Sequence, residues 1–222
     1  MRQSMRTAGF TVKELKRIHR RERERIRERL AEFSALGRTA RDEKLFEELA
    51  FCIFTAGASA RMGLRSIDRV RPVLINGSLR EIQDALKGAH RYGLSRGRYV
   101  HETREYLHES CGLQMRALLH RFGDANARRD FLAQNRRVRG IGYKEASHFL
   151  RNVGFSGYAI LDKHVLNRLT DFGVIGAPKP PSTRNRYLEI EEKTRAFAAR
   201  IGIDVDELDL LLWFTKTGEI LK

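Results

Sequence analysis

The chain has 222 residues, with 43 Lys and Arg against 28 Asp and Glu, a formal charge of +15 and an isoelectric point near 10.4. At 41% apolar composition it can bury the core of one sizeable domain or two smaller ones, which excludes a disordered chain, and its charge favours a polyanionic partner, nucleic acid before an anionic membrane surface. No apolar run approaches a membrane span, the opening "MRQSMRTAGF" lacks the apolar core of a signal peptide, and the two cysteines, Cys52 and Cys111, are too few for a disulfide framework or a cysteine-ligated iron-sulfur cluster, so a cytoplasmic protein with plain thiols is expected.

Strand signals are scarce and helical spacing recurs throughout, so the expected fold class is all-α. Residues 11–36 open on a T-x-x-E capping box, Thr11 with Glu14, and run through "RRERERIRER" with Val12, Leu15, Ile18, Ile26, Leu30 and Phe33 on one side. This reads as one long basic helix that stops at Gly37, its charges mostly a solvated face. The segment from Leu45 to Phe54 is apolar nearly all round, as a helix buried at the centre of a domain is, with Cys52 inside it. Further helices are expected around 78–88, 95–110, 113–121 and 127–136. Three of the four prolines fall in "APKPPS", residues 177–182, which marks an exposed connector. Beyond it, Tyr187, Ile190, Phe197 and Ile201 predict another helix, and Asp204 with Glu207 caps a last one containing "LDLLLWF".

The stretch "VRGIGYKEASHFLRNVG", residues 138–154, carries the chemistry. From Lys144 onward Ala146, Phe149, Leu150 and Val153 recur at helical spacing, and Gly154 supplies a left-handed stop. Lys144 therefore falls in the first turn of a helix, where the peptide dipoles disfavour an ammonium and favour the free amine. That is a poor place for a solvating lysine and a good one for a nucleophile, although a surface lysine at a helix start is the plainer alternative. Phe131 and Leu132 in the preceding "RDFLAQNRR" can pack a short helix against it, which makes helix, glycine hairpin, helix over about residues 128–154. Gly140 and Gly142 can turn backbone N–H groups outward toward a DNA phosphate, with Arg136, Arg137 and Arg139 adding charge on that side. Asp162, in "YAILDKHVLNRL", is an N-cap ahead of Val165, Leu166 and Leu169. The chain between it and Lys144 is long enough to bring the carboxylate back to the lysine. His101, His108 and Cys111 could share a helix face, but their spacing leaves a metal ligand set incomplete, and no metal or cofactor is expected. His148, one turn after Lys144, is expected to be a surface or packing residue.

Together, "VRGIGYKEASHFLRNVG" and "YAILDKHVLNRL" resemble the signature of the helix-hairpin-helix DNA glycosylase superfamily, most closely its type 2 8-oxoguanine DNA glycosylase/AP lyases. "LAFCIFTAGASARM" is similar to the buried first helix of that family's central domain, and "WFTKTGEILK" to its C-terminus. The small residues of "TAGASA" depart from the bulkier polar ones expected beside the flipped-out base. The resemblance implies two helical subdomains, a central one over 41–156 and a discontinuous one from 1–40 and 157–222. It implies a monomeric base excision repair enzyme acting on double-stranded DNA that contains oxidised guanine. Lys144 is then the nucleophile and Schiff-base residue, Asp162 its carboxylate partner, and Lys222 a contact to the base; Trp213 on the last helix reads either as a wall of the base pocket or as core packing with Leu211 and Leu212. Gly140, Gly142 and Arg139 hold the DNA backbone. Two alternatives remain open on the residues alone: a non-catalytic helix-hairpin-helix DNA-binding module, in which Lys144 contacts phosphate, and the same chemistry on another damaged base.

Overall fold

The computed structural model describes residues 10–220. Among the described residues it contains eleven α-helices, one 3-10 turn and no strand. Two compact units divide the chain: a central unit, Glu32–Ser156, and a terminal unit built from the N-terminal stretch through Ala31 and from Gly157–Ile220. The division falls inside the first helix, α1 (Val12–Thr39), which opens with the expected reciprocal bonds between Thr11 and Glu14.

The central unit is organised around α2 (Asp42–Thr55). Every side chain from Leu45 to Thr55 is buried, because this helix is covered by α3 (Ala60–Val70), α5 (Gly93–Cys111), α6 (Met115–His120) and α8 (Tyr143–Asn152). Its two buried carboxylates are partnered: Glu47 by Lys44 and Arg71, Glu48 by Asn152. The apolar run does not continue as one helix through "TAGASARM". The chain leaves α2 at Ala56, which is extended, and restarts at α3, where the Ser59 hydroxyl accepts the Met62 N–H at 3.2 Å. After a 3-10 turn at Arg71–Val73, α4 (Leu79–Ala85) starts on a full capping box, Ser78 with Glu81, and α7 (Ala125–Gln134) on Asp124.

Gly37 is not the helix stop that its residue type suggests. α1 runs on to Thr39, and a Cβ at Gly37 would lie 2.0 Å from the Val153 carbonyl oxygen, so this glycine is selected by a close helix approach rather than by helix termination. A glycine near the end of an apolar pattern cannot by sequence be told apart from one under a neighbouring backbone.

In the terminal unit, α9 (Lys163–Asp171) and α10 (Arg184–Ile201) both pack on α11 (Val205–Thr217). Glu207 of α11 ties down the start of α1: its carboxylate takes His19 Nε2 and Arg27 Nε, both at 2.6 Å. Burial alone would raise the Glu207 acid range, but the Arg27 and His19 hydrogen bonds outweigh it and hold the carboxyl below its ordinary value. Residues 177–182 form the irregular, largely exposed connector that their prolines predict.

Candidate active site and nucleic-acid interface

The α7–α8 hairpin belongs to the central unit. Its turn closes with Val138 N–H to the Asn135 carbonyl at 2.9 Å, and the Arg139 N–H is taken by the Thr103 hydroxyl of α5 at 2.8 Å. Gly140 has φ +76°, and a Cβ there would stand 2.8 Å from Tyr99 Cδ2 and 3.2 Å from Arg96 Nη1. Both its torsion and the ring pressed against it require glycine. Gly142 differs. Its φ is −106°, ordinary for any residue, and its N–H does not turn outward as expected but meets the Glu145 carboxylate at 3.3 Å. Glu145, three residues beyond the N-cap, thus makes the return half of a capping box, a spacing that could have been read from "GYKE".

Lys144 lies in the first turn of α8, as its position predicts, with its side chain 28% exposed and its Nζ 2.9 Å from Glu145 Oε1. One carboxylate therefore holds both the second glycine of the hairpin and the amine. Behind this turn Ala146, Phe149, Leu150 and Val153 are buried as their spacing predicts. The opposite face is buried as well, so α8 is not the amphipathic helix its pattern suggests. Arg151 bonds Asn152 and stacks over Phe33 at 5.1 Å, Asn152 donates to Glu48 at 3.3 Å, and Arg129 donates to Ser147 at 3.2 Å. His148 is buried edge-on to Phe51. Cys52 is fully buried below the site; burial first, then the nearby Glu48 charge, pushes its thiol well above the ordinary range, which makes it an inert core group.

Asp162 belongs to the terminal unit and caps α9, its Oδ1 accepting the Val165 N–H at 2.8 Å. The segment that delivers it was not legible from local pattern. Tyr158, Ala159, Ile160 and Leu161 are buried but belong to no helix or sheet that could take their amides. Side chains do so instead. Gly157 N–H bonds Asp206 at 2.9 Å, Ala159 N–H bonds Glu191 at 2.9 Å, and Ile160 N–H bonds Asp209 at 2.8 Å, while the Tyr187 hydroxyl donates to the Ala159 carbonyl at 2.7 Å. Three acids on α10 and α11, indistinguishable by sequence from solvating charges, are thus the backbone partners of this segment.

Of the other expected site residues, Arg139 is exposed, pairs with Glu102 at 3.3 Å and lies over the Tyr99 ring at 5.5 Å. Trp213 is half-buried on α11, beside the fully buried Leu211 and Leu212. Lys222 lies outside the described residues. His101, His108 and Cys111 do not converge on a metal site, and no group of three such side chains does so among the described residues. No helix among them is long and apolar enough to cross a membrane.

An all-helical chain with a glycine hairpin ahead of a first-turn lysine, and a helix-capping aspartate further on, has the architecture of a helix-hairpin-helix DNA glycosylase. Residues 26–203 match the family model described as 8-oxoguanine DNA glycosylase. A curated 8-oxoguanine DNA glycosylase/AP lyase of Korarchaeum cryptofilum is 38% identical over 98% of this chain and 95% of its own length, and one of Methanocaldococcus jannaschii is 34% identical over 89% and 91%. The crystal structure of the Thermotoga maritima 8-oxoguanine DNA glycosylase superposes with a TM-score of 0.85 at 36% identity, covering 95% of this chain and 98% of that one. A Methanocaldococcus jannaschii glycosylase/lyase in complex with a 15mer DNA containing 8-oxoguanine superposes equally well, TM-score 0.85 at 32% identity, over 95% and 99%. The chain belongs to the 8-oxoguanine DNA glycosylase family.

Proposed function

We propose that this chain excises 8-oxoguanine from double-stranded DNA and then nicks the strand, with Lys144 as the nucleophile. The observation that carries the reading is the seat of Lys144: a partly buried amine in the first turn behind the hairpin, held at 2.9 Å by Glu145 and backed by a helix buried on every side. An amine so placed is held in one position, as a nucleophile must be and a phosphate-binding surface lysine need not be. The likeness to a relative solved with DNA containing 8-oxoguanine supports the choice of lesion.

The reaction follows from the groups. The nucleotide must first leave the stack, since neither C1′ nor the base is reachable inside it. The neutral Lys144 amine attacks C1′, the bond from C1′ to the base nitrogen breaks, and the base leaves with that electron pair and takes up a proton. Loss of the amine proton and opening of the sugar ring give an iminium between Nζ and C1′. The iminium acidifies the C2′ proton; its removal expels the 3′ phosphate and cuts the strand. Asp162 is assigned the carboxylate that stabilises positive charge on the sugar and helps the amine shed its proton. Trp213 and Lys222 are assigned to the base, and Gly140 and Arg139 to the backbone of the DNA, while the Gly142 N–H, taken by Glu145, is left to the helix cap. The protein is read as a monomer working in the cytoplasm on the nucleoid.

Borohydride trapping on an 8-oxoguanine duplex tests the reading. Wild type is expected to yield a covalent protein–DNA adduct, and Lys144→Gln to lose both the adduct and at least about a thousandfold in cleavage rate while still binding the duplex. Binding without any adduct in wild type would leave a DNA-binding module. A panel of modified duplexes separates 8-oxoguanine from other lesions.

A further inference from the structure

Among the described residues three helices begin with a glutamate reaching back to the N-cap amide, and that glutamate behaves differently in one of them. Glu14 of α1 and Glu81 of α4 are exposed. In each, a single carboxylate oxygen takes both the backbone N–H and the hydroxyl of the N-cap residue, Thr11 at 2.8 and 2.9 Å and Ser78 at 2.8 and 2.7 Å. α8 starts on Gly142, which has no hydroxyl to offer. Its glutamate, Glu145, makes a longer 3.3 Å bond to the N-cap amide through Oε2 and turns Oε1 to the Lys144 amine at 2.9 Å. The Glu145 side chain is only 13% exposed. So long a cap bond does not account for so deep a carboxylate, because burying a charge costs far more than one such bond offsets.

The other ionisable groups packed round this turn are engaged elsewhere. Glu48 of α2 takes Asn152, Asp130 of α7 takes the Tyr143 hydroxyl at 2.9 Å, and burial keeps the Cys52 thiol protonated. Arg129 of α7 donates to Ser147 and Asn126, Arg151 of α8 to Asn152, and His148 lies edge-on to Phe51. Glu145 is the acid hydrogen-bonded to Nζ itself. A base within hydrogen-bond reach of the nucleophile is what amine chemistry requires.

We propose that Glu145 is a catalytic base, the group that takes the proton Nζ sheds once its bond to C1′ has formed. This inference rests on the base-excision reading above and adds to it the acceptor of the amine proton. When Nζ attacks C1′ and the base departs with the electron pair of the broken bond, the nitrogen is left with two hydrogens and a positive charge. One proton crosses the hydrogen bond to Oε1, and the nitrogen recovers a lone pair. That pair forms the double bond from C1′ to Nζ as the bond from C1′ to the ring oxygen breaks. The ring oxygen leaves with the electrons of that bond and takes a proton from water, and Glu145 returns its own to solvent, which reaches the 28% exposed Lys144 side chain. The bond to Gly142 meanwhile anchors the carboxylate at the helix start, beside the amine. Asp162 acts on the charge of the sugar, and its help to the amine is electrostatic.

The test measures single-turnover release of 8-oxoguanine from a duplex by wild type, Glu145→Gln and Glu145→Ala, with duplex binding and thermal melts alongside. Glu145→Gln keeps an oxygen for the Gly142 N–H but is no proton acceptor. It is expected to bind the duplex within about threefold of wild type and to lose about a hundredfold or more in rate. Glu145→Ala is expected to lose as much, and added formate or acetate to restore about tenfold or more, acetate above formate because it is the stronger base, with chloride at equal concentration restoring nothing. A glutamate that merely shapes the helix start would give no such order. A Glu145→Gln rate within about threefold of wild type or above it would overturn the proposal, as would a Glu145→Ala enzyme that neither carboxylate restores or that chloride restores as well as acetate. Failure of wild type to release the base would instead overturn the base-excision reading.

Discussion

The hairpin that carries Lys144 and the irregular stretch that carries Asp162 each place one side chain of the proposed chemistry at the start of a helix, but by different means. The hairpin is shaped mainly by local contacts, a turn closed by Asn135 and Val138 and a glutamate three residues beyond Gly142 that caps the helix and holds the amine, with Thr103 and the Tyr99 ring of α5 as its distant supports. The stretch from Gly157 to Leu161 has one local bond, from the Asp162 N–H to the Ile160 carbonyl, and is otherwise held by carboxylates about 30 to 50 residues away in sequence, on α10 and α11. The difference teaches that equal precision at two sites can rest on short-range or long-range contacts, and that only the first kind shows in a motif.

Substitutions that separate placement from chemistry break the comparison most sharply. Asp162→Asn keeps an oxygen to accept the Val165 N–H, so the cap and the melting temperature should hold, yet base release should fall by about a hundredfold or more, read in single turnover. Gly140→Ala adds strain at φ +76° to a clash with Tyr99, for a loss of about 3 kcal/mol in urea unfolding with weaker DNA binding. Asp209→Ala leaves the buried Ile160 N–H without its acceptor and should cost about 2 kcal/mol, measured the same way. Gly142→Ala, at an ordinary torsion and with only the end of the Glu145 side chain nearby, should cost under about 1 kcal/mol.

The smallest effect is a dependence on pH. Burial first, then the charges of Arg96 and Arg91, keep His90 neutral below its ordinary range, against a Phe54 hydrogen bond that acts the other way. As pH falls below about 6.5 the unfolded chain takes up a proton that the folded chain refuses, so a contribution to stability present above that pH is lost on the way down. His90→Gln should therefore show a shallower fall in urea midpoint between about pH 7 and 5 than wild type.

These contrasts mark what could be read in advance. The helices, the turn of the hairpin, the first-turn lysine and the Asp162 cap rest on contacts within four residues, which spacing reports, while the seat of the hairpin on Thr103 and Tyr99 does not show in it. The glycine at 37 was misread because its partner is the carbonyl of Val153, and the polar face of α8 because its partners are Glu48, Phe33 and Arg129. Glu191, Asp206 and Asp209 looked like any helix-surface acids, since nothing local distinguishes an acid facing water from one facing a buried amide. Lys222, assigned to the base by resemblance, lies outside the described residues.

The side-chain-held segment also sets where the chain can change length. One residue inserted between 157 and 161 would slip each amide past its acceptor at once, with no neighbouring strand along which to re-register. The exposed proline connector at 177–182 carries no such obligation. Insertions, tags or permuted termini belong there, and the path into Asp162 is fixed in length.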